Sequence, residues 1–365
     1  MPRLRFPHFR NSNEWSFQEL GDCLDYLQPT DYLVNSTAYS DKYDIPVVTA
    51  GKTFILGYTN ETEGVFNQPL PVIIFDDFTT ATQFVNFPFK AKSSAMKILL
   101  AKENANIKFL YESMQQIDYE VGAHGRHWIS AYSKIKIAAP EPAEQQKIAD
   151  CLSSLDELIA AQARKVDALK THKKGLMQQL FPREGETQPR LRFPEFRDAG
   201  EWALKTLEEI AEIKSGSTPL RANEEFFVGG TIPWVKTTDL NNSFITETEE
   251  RLTPKAKVRI NPVGSVLVAM YGGFNQIGRT GFLAVPAATN QAISVLQLDL
   301  KKALPEYVLA WLNAKVEDWK RIASSSRKDP NITGTDVAKF PIALPNITEQ
   351  QRIADCLSDL DTLIT

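Results

Sequence analysis

Apolar residues between Glu144 and Phe181 recur at alternating spacings of three and four, which predicts a single long amphipathic helix. The apolar seam, which two polar positions interrupt, runs through Ile148, Leu152, Leu155, Ile159, Gln162, Val166, Leu169, Lys173, Leu176 and Leu180. So narrow a stripe is typical of a coiled coil. Pro142 suits the first turn of this helix and Pro182 ends it. At 1.5 Å per residue, the helix is a rod of about 57 Å.

Two blocks of the chain occur twice. Residues 2–15 return at 189–202 with 10 of 14 positions identical, and residues 144–159 return at 349–364 with 13 of 16 identical. The stretch between the blocks is 18 residues longer in the second copy, and the two stretches are barely similar. We call the repeated blocks the frames and the stretches between them the inserts. Since drift after duplication would erode both, the pattern indicates frames that serve one common geometry and inserts that do different jobs.

The repeated block at 349–364 predicts a second helix on the same seam, preceded by a capping box of Thr348 and Gln351. Basic residues lie late in the first helix and acidic residues lie in the second, so an antiparallel pair is expected. These residues are Arg164, Lys165, Lys170, Lys173 and Lys174, against Glu349, Asp355, Asp359 and Asp361. A solvated charged face is the alternative for any single pair. We expect the second helix to be truncated, because the sequence stops at Thr365.

The inserts contain short β-branched and apolar runs that lead into polar or glycine-containing loops. Residues 45–57 pair with 232–244, residues 71–77 with 264–273, and residues 91–99 with 288–296. An amphipathic helix follows in each insert, at about 107–119 and 305–323, and a basic loop comes next, at 122–128 and 324–334. The fold class is therefore α+β, with two globular domains, each followed by a long helix.

This reading divides the chain into four parts. The first globular domain covers 1–143, the central helix and linker 144–182, the second globular domain 183–347, and the start of the C-terminal helix 348–365.

Composition sets limits on location and chemistry. The chain has no apolar run of membrane-spanning length and no signal peptide, and its three cysteines make no disulfide framework, so a cytoplasmic protein is expected. A net charge of −4 leaves room for local basic patches that bind nucleic acid. The Gly-Lys-Thr run at 51–53 is not a P-loop, because proline stands where the first glycine is required. His124 and His127 have no further ligands nearby in the sequence, so a metal site is not expected.

The order of these parts resembles the specificity subunit of type I restriction–modification systems. The resemblance rests on a PRLRFP…FR…EW lead before each insert and a P…EQQ(K/R)IADCL…LD.LI helix after it, and it covers essentially the whole chain. It implies that each globular domain reads one half of a bipartite, asymmetric target in double-stranded DNA. It also implies an antiparallel coiled-coil spacer, two modification (methyltransferase) subunits docked on the frames, and restriction subunits added to that core. The short second helix departs from the pattern and puts the docking of one modification subunit in doubt.

Loop residues of the inserts are the candidates for DNA contact, because lysine, arginine and asparagine meet base edges while hydroxyls and lysines also hold phosphates. In the first insert they are Lys52, Thr53, Tyr58, Asn60, Lys90, Lys92, Ser93, Ser94, Arg126 and His127. In the second insert they are Ser217, Thr218, Arg221, Lys236, Thr237, Thr238, Tyr271, Asn275, Arg279, Asn290, Gln291, Arg327 and Lys328. An ordinary solvated loop side chain is the alternative for each one taken alone. The first insert also resembles recognition domains of this family that read short purine-rich half-sites.

No catalytic constellation is found in the sequence. Motifs for methyl transfer, S-adenosylmethionine binding, helicase activity and nuclease activity are missing, so we expect a non-enzymatic subunit without a cofactor. The resemblance implies that partner subunits use S-adenosylmethionine, ATP and Mg²⁺. Two other hypotheses remain open: part of a fused restriction–methylation enzyme, and a truncated or silenced specificity allele that acts only as a coiled-coil scaffold.

Overall fold

A computed structural model describes residues 2–121, 125–324 and 331–364. The chain forms two compact units, Met1–Ala161 and Gln162–Thr365. The elements of the first unit are β1 (Ser16–Glu19), α1 (Leu20–Cys23), β2 (Leu24–Leu27), β3 (Ile45–Val48), β4 (Ile55–Thr59), β5 (Val72–Asp76), β6 (Thr82–Val85), β7 (Lys90–Ala91), β8 (Met96–Ala101), α2 (Ile107–Met114), α3 (His127–Ser130) and β9 (Lys136–Ala139). The helix α4 (Pro142–Leu180) begins in the first unit and ends in the second.

The second unit repeats most of this order. Its elements are β10 (Ala203–Thr206), α5 (Leu207–Ile210), β11 (Ala211–Ser215), β12 (Ile232–Val235), β13 (Phe244–Ile245), β14 (Glu250–Leu252), β15 (Val266–Ala269), β16 (Thr280–Leu283), β17 (Ala288–Thr289), β18 (Ile293–Leu298), α6 (Pro305–Ala314), α7 (Val316–Ser324), α8 (Gly334–Ala338), β19 (Pro341–Leu344) and α9 (Ile347–Ile364).

The sheets of the two units have the same strand order. The first unit holds a four-stranded sheet β2-β8-β5-β6 and a three-stranded sheet β4-β3-β7, and a separate ribbon pairs β1 with β9. The second unit holds β11-β18-β15-β16-β13, β14-β12-β17 and the ribbon β10-β19. The prediction of two α+β domains is therefore confirmed. The pairings of 71–77 with 264–273 and of 91–99 with 288–296 are confirmed, since β5 corresponds to β15 and β7 and β8 correspond to β17 and β18. The pairing of 45–57 with 232–244 holds only for β3 and β12, because the counterpart of β4 is β14, which lies beyond residue 244. Strand β13 is an addition in the longer second insert.

Each unit has its own apolar core. In the first unit Leu20, Phe75 and Trp128 are buried in a cluster between the four-stranded sheet and the helices. In the second unit Trp202 and Tyr307 belong to a larger cluster, which also takes in the last turn of α4. The central strands β5 and β15 are buried along nearly their whole length, whereas the loops at the strand ends reach the surface.

The long helix is confirmed, from Pro142 to Leu180. The two insert helices differ from their predicted lengths. α2 ends at Met114, and the segment predicted as one helix is split into α6 and α7 by Lys315, which adopts a non-helical φ of −107°. The predicted capping box at Thr348 is wrong, because the side chain of Asn346 accepts the hydrogen bond from the Glu349 amide at 2.9 Å.

Within the second unit, the end of α4 lies antiparallel to α9. Lys173 donates to Asp361 at 2.5 Å, while Leu180, seven residues later in α4, packs in one cluster with Ile353 and Leu357, which come earlier in α9. The order of contacts is thus reversed between the two helices. This confirms the predicted antiparallel pairing for the part of the helices that the structure describes in this unit.

The lead of each frame is fixed to the start of the following helix by a buried ion pair. Arg5 makes a bidentate contact to Glu144, with its Nε and Nη2 atoms 2.8 and 2.6 Å from the two carboxylate oxygens, and also donates to the Ser12 and Asn13 carbonyls. The equivalent Arg192 makes a bidentate contact to Glu349, with both distances 2.8 Å, and donates to the carbonyls of residues 199 and 200. Both carboxylates are 1% exposed. Arginine suits this position because its planar fork matches a carboxylate.

A glutamine next to that ion pair joins each frame to its insert. The Gln145 side chain accepts a hydrogen bond from the backbone amide of Asn106, at the start of α2, and donates to the Pro140 carbonyl. Gln350 accepts from the Leu304 amide at the start of α6 and donates to the carbonyls of residues 302 and 345. The repeated EQQ sequence thus does the same structural work in both units: Glu holds the lead and the first Gln holds the insert helix.

Candidate nucleic-acid interface

In the first unit, two loops with candidate residues meet at one sheet edge. β3 and β7 are parallel, with Val48 beside Ala91, so the chain leaves both strands in the same direction. The Lys92 amide donates to the Val48 carbonyl at 3.0 Å, which joins the two loops. Lys52 and Thr53 lie exposed in the loop after β3. A side chain at Gly57, opposite in β4, would come within 2.6 Å of the Tyr39 Cβ, so the fold needs glycine there.

The loop after β7 ends in a tight turn. The Ser93 hydroxyl accepts a hydrogen bond from the Ala95 amide at 3.1 Å, and this leaves Ser94 exposed at the tip. Lys92 is half-buried, with its ammonium group 5.7 Å from the Tyr39 ring centre.

A third segment joins this edge through Asp77, directly after β5. The Asp77 amide donates to the Ala95 carbonyl at 3.1 Å, and the Asp77 carbonyl accepts from the His127 amide at 2.8 Å. Arg126, immediately before His127, is exposed. The structure therefore brings together the loops that carry Lys52, Ser94 and Arg126.

Two candidates of the first unit are buried and lie inside the domain. Lys90 is 2% exposed, pairs with Glu61 at 3.0 Å and donates to the Glu63 carbonyl at 2.6 Å. Hydrogen bonds from the Ser36 and Asn35 amides, together with Lys90, lower the pKa of Glu61 to about 2. His127 is 7% exposed. Both side chains are packed away from solvent, so neither lies on the loop surface. Of the remaining candidates, Tyr58 is half-buried and Asn60 is exposed at the end of β4.

The second unit has the same edge with different side chains. β12 and β17 are parallel, with Val235 beside Thr289, and the Asn290 amide donates to the Val235 carbonyl at 3.0 Å. The segment after β11 folds over this edge, since the Ser217 amide donates to the Thr289 carbonyl at 2.9 Å. A Cβ atom at Gly216 would lie 2.1 Å from that carbonyl oxygen, so only glycine permits this approach.

Three candidates of the second unit touch each other directly, and a fourth, Ser217, contacts Trp234 beside them. The Thr218 hydroxyl donates to the side-chain oxygen of Gln291, and the Tyr271 hydroxyl donates to the Gln291 carbonyl at 2.8 Å. The Trp234 indole donates to the Ser217 carbonyl at 3.3 Å. Hydroxyl and amide groups therefore form a continuous polar surface that runs across the ends of β11, β15 and β17.

The loop after β15 contains three glycines with left-handed backbone, at 272, 273 and 278. Asn275 is exposed near its tip, and Arg279 is half-buried where the loop returns and closes onto Ala269 through a 2.8 Å backbone bond. Thr238 is exposed after β12, whereas Thr237 is 9% exposed beneath the loop. Arg327 and Lys328 lie outside the described residues.

Two basic candidates of the second unit are held by one carboxylate. Glu250 contacts Arg221 at 2.5 and 3.2 Å and Lys236 at 2.6 Å, and Lys236 also contacts Glu249 at 2.7 Å. The guanidinium group of Arg221 lies 4.9 Å from the Trp234 ring centre. The hydrogen bond from Arg221 is the main reason that the pKa of Glu250 falls to about 2. These cations are thus arranged beside the polar surface while already neutralised within the domain.

Sequence reasoning missed Phe78. Phe78 follows Asp77, and Tyr271 follows Met270 at the equivalent position of the second unit. Met270 makes the same two backbone bonds as Asp77: its amide donates to the Ala292 carbonyl at 2.8 Å, and its carbonyl accepts from the Ile332 amide at 2.9 Å. Phe78 is 44% exposed and Tyr271 37%. Aligning the ends of β5 and β15 by register would have found the pair, since an exposed aromatic stands at the same position after each strand.

Among residues 2–121, 125–324 and 331–364, no group of three or more histidine, cysteine, aspartate or glutamate side chains is placed to hold a metal ion. In the same ranges, no helix has both the length and the apolar character needed to cross a membrane.

Comparison with known proteins assigns the family. The type I restriction modification DNA specificity domain matches twice, at residues 12–171 and 199–365. The Escherichia coli EcoR124I/EcoR124II specificity subunit is 35% identical over 363 residues, which cover 94% of this chain and 86% of that protein. The MjaIX specificity subunit of Methanocaldococcus jannaschii is 30% identical over 173 residues, covering 45% of this chain and 39% of that protein.

The fold agrees with this assignment. The crystal structure of a type I restriction–modification S subunit from M. genitalium superposes with a TM-score of 0.66 at 14% identity, covering all of this chain and 93% of that one. A structure from a study of type I restriction–modification complex assembly gives 0.55 at 15% identity, covering all of this chain and 92% of that one. The expected family is confirmed: the chain belongs to the type I restriction–modification DNA specificity family.

Proposed function

We propose that this chain is the DNA sequence-specificity subunit of a type I restriction–modification complex, and that it reads a bipartite, asymmetric target in double-stranded DNA. One observation carries the proposal. The two units share strand order and the same backbone bonds at the loop edge, yet the side chains at that edge differ. A scaffold that holds different side chains in one geometry fits two readers of two different half-sites.

In the first unit, the exposed side chains at the edge are the ones we assign to DNA. Lys52, Thr53, Lys92, Ser94 and Arg126 combine cations and hydroxyls, the groups that hold phosphates and meet purine edges. Lys90 and His127 support the loops from inside.

In the second unit, amides and hydroxyls dominate the assigned surface. Thr218, Tyr271, Asn275, Asn290 and Gln291 offer both donors and acceptors, and an asparagine or glutamine side chain can pair with two atoms of an adenine edge. Arg221 and Lys236 lie beside them, paired with Glu249 and Glu250 within the domain. The chemical difference between the two surfaces supports an asymmetric target.

The frames are assigned to partner subunits. Leu4 and Leu191, at equivalent frame positions, are 87% and 42% exposed, and the equivalent Phe17 and Leu204 are 74% and 55% exposed. Apolar groups exposed at the same positions of both frames fit one partner surface used twice, as two copies of a modification subunit would use it. Restriction subunits would join this core.

The chemistry is assigned to those partners. In this proposal the chain contributes binding and orientation and is not itself an enzyme. Methyl transfer from S-adenosylmethionine and ATP- and Mg²⁺-dependent cleavage take place on the other subunits, within the cytoplasm.

Single-molecule methylome sequencing tests the proposal in a strain that expresses the chain with its modification subunit. We expect one methylated motif with two separated halves. Replacing Lys92, Ser93 and Ser94 by alanine should change one half only, and replacing Thr218 and Gln291 should change the other. Lys205→Ala, at an exposed position away from both edges, serves as the control. A methylated motif without two separated halves, or the same methylated motif in the wild type and all variants, would refute the proposal.

A further inference from the structure

Asp77 anchors the segment that carries Arg126 by two bonds. Its carbonyl accepts from the His127 amide at 2.8 Å, and its side-chain Oδ1 accepts from the next amide, Trp128, also at 2.8 Å. Two bonds to successive amides fix the direction of a chain as well as its position. The backbone that immediately follows the exposed Arg126 is therefore fixed in position and direction.

The carboxylate of Asp77 is itself held by a buried cation. Lys97, on β8, places its ammonium group 3.3 Å from Oδ2, and both side chains are 1% exposed. Since Oδ2 faces Lys97, Oδ1 is turned towards the Trp128 amide. His127 fills the neighbouring space, where its Nδ1 lies 3.1 Å from the Tyr119 hydroxyl.

The second unit has uncharged residues at the two positions of this ion pair. Register places Met270 at the position of Asp77 and Ser294 at that of Lys97, because Asp76 pairs with Met96 as Ala269 pairs with Ile293. The Met270 carbonyl accepts from the Ile332 amide at 2.9 Å, and the Met270 sulfur accepts a contact from the Ser294 hydroxyl at 3.5 Å. The fold therefore does not need an ion pair at this position.

A buried ion pair that the fold does not need calls for another role. Removing two charges from water is costly, and apolar replacements of such pairs are often neutral or stabilising. What the pair adds in the first unit is the second tether, to the Trp128 amide, which the second unit lacks. That tether acts on the segment that follows Arg126.

We propose that Asp77, through the hydrogen bond that its carboxylate accepts from the Trp128 backbone amide, is a positioning residue that sets how Arg126 meets DNA, and thereby determines the specificity of the half-site read by the first unit. This inference rests on the proposed function of the loop edge as a DNA reader.

Three variants separate positioning from folding. Asp77→Met with Lys97→Ser transplants the pair of the second unit, removes both charges together and abolishes the side-chain tether. Asp77→Asn with Lys97→Met also removes both charges but keeps an oxygen that can accept from the Trp128 amide. Arg126→Ala removes the positioned group, alone and combined with the first pair.

The full complex with its modification subunit is assayed by methylome sequencing in cells. The probe is the set of genomic sites that differ from the wild-type motif by one base. For the Met/Ser pair we expect discrimination in one half-site to fall about 5- to 150-fold, the value of one paired base contact. The other half-site, read by the second unit, should be unchanged and reports that the complex has assembled. The Asn/Met pair should retain both half-sites.

The combination with Arg126→Ala tests the route of the effect. If Asp77 acts through Arg126, adding the Met/Ser pair to Arg126→Ala causes no further loss, which is the non-additivity of coupled residues. Unchanged discrimination in the Met/Ser pair, or additive losses, would overturn the inference. If the Met/Ser pair abolishes methylation altogether, the Asn/Met pair decides, and loss of discrimination there also overturns it. A wild-type complex without a bipartite motif would instead refute the proposed function.

Discussion

Replacing Arg192 by methionine tests whether the frame depends on its buried ion pair. The change keeps an unbranched, though shorter, side chain and removes every donor to Glu349 and to the carbonyls of residues 199 and 200. The Glu349 carboxylate, 1% exposed, would then lack its cation. Removal of one partner from a buried pair costs about 3 to 5 kcal/mol, so we expect the free energy of unfolding of the second unit to fall by that amount.

Two controls bracket that value. Replacing Arg192 and Glu349 together by methionine removes both charges, so most of the lost stability should return. Lys205→Met breaks the ion pair of Lys205 with Glu209, whose two side chains are 46% and 44% exposed. Loss of this exposed pair should lower the free energy of unfolding by about 1 kcal/mol or less.

The assay must resolve the two units, because a chain of two compact units need not unfold in one step. Hydrogen exchange read on peptides from β10, β19 and α9 gives the opening free energy of the second unit alone. Arg5→Met, the equivalent change, should act on peptides of the first unit only. The reasoning fails if Arg192→Met costs no more than Lys205→Met, or if the double variant is as unstable as the single one.

Three further outcomes are expected. The pKa of Glu61 is lowered to about 2 in the folded state, so its ionised form stabilises the first unit above about pH 4.5. This contribution is lost as pH falls towards 2. Glu61→Gln should therefore make the free energy of unfolding of the first unit, measured by hydrogen exchange, depend less on pH in the acid range. Glu250→Gln should release Arg221 from its carboxylate and leave Lys236 paired with Glu249 alone. Affinity for non-specific duplex DNA should rise and its salt dependence should steepen by up to about 0.9 in log–log slope per added phosphate contact, measured by fluorescence anisotropy; an unchanged slope would count against it. Gly216→Ala should disrupt methylation at the second half-site, because its Cβ would lie 2.1 Å from the Thr289 carbonyl oxygen. In the control Gly200→Ala the added Cβ would have no atom within 4 Å, so methylation should be unchanged.

The sequence predicted the architecture because repetition and periodicity are local signals. The long helix, the paired insert strands and the opposite charges of Lys173 and Asp361 were all readable from spacing. Asn346 was missed as the helix cap, since Thr348 with Gln351 offered an equally good local pattern two residues later. Sequence alone gives no means of choosing between two adjacent caps.

The candidate surface was predictable by loop but not by side chain. Parallel pairing brings Lys52 and Ser94 to one edge, and the strand pattern already indicated both loops. Lys90 is adjacent to that edge in sequence, yet it points inwards to Glu61. No sequence pattern distinguishes Asp77, because its partners Lys97 and Trp128 are distant along the chain. Direction and long-range pairing decide which residues of a loop are available to DNA.

The glutamine at the start of each long helix has a consequence for how such proteins can change. Gln145 and Gln350 hold the insert helices through the backbone amides of residues 106 and 304, not through their side chains. A joint made to backbone atoms accepts any sequence that folds into the same turn. This backbone joint predicts that an insert can be exchanged where its packing against the frame is preserved: a chain with residues 16–139 and 203–344 exchanged is expected to read the two half-sites in reverse order.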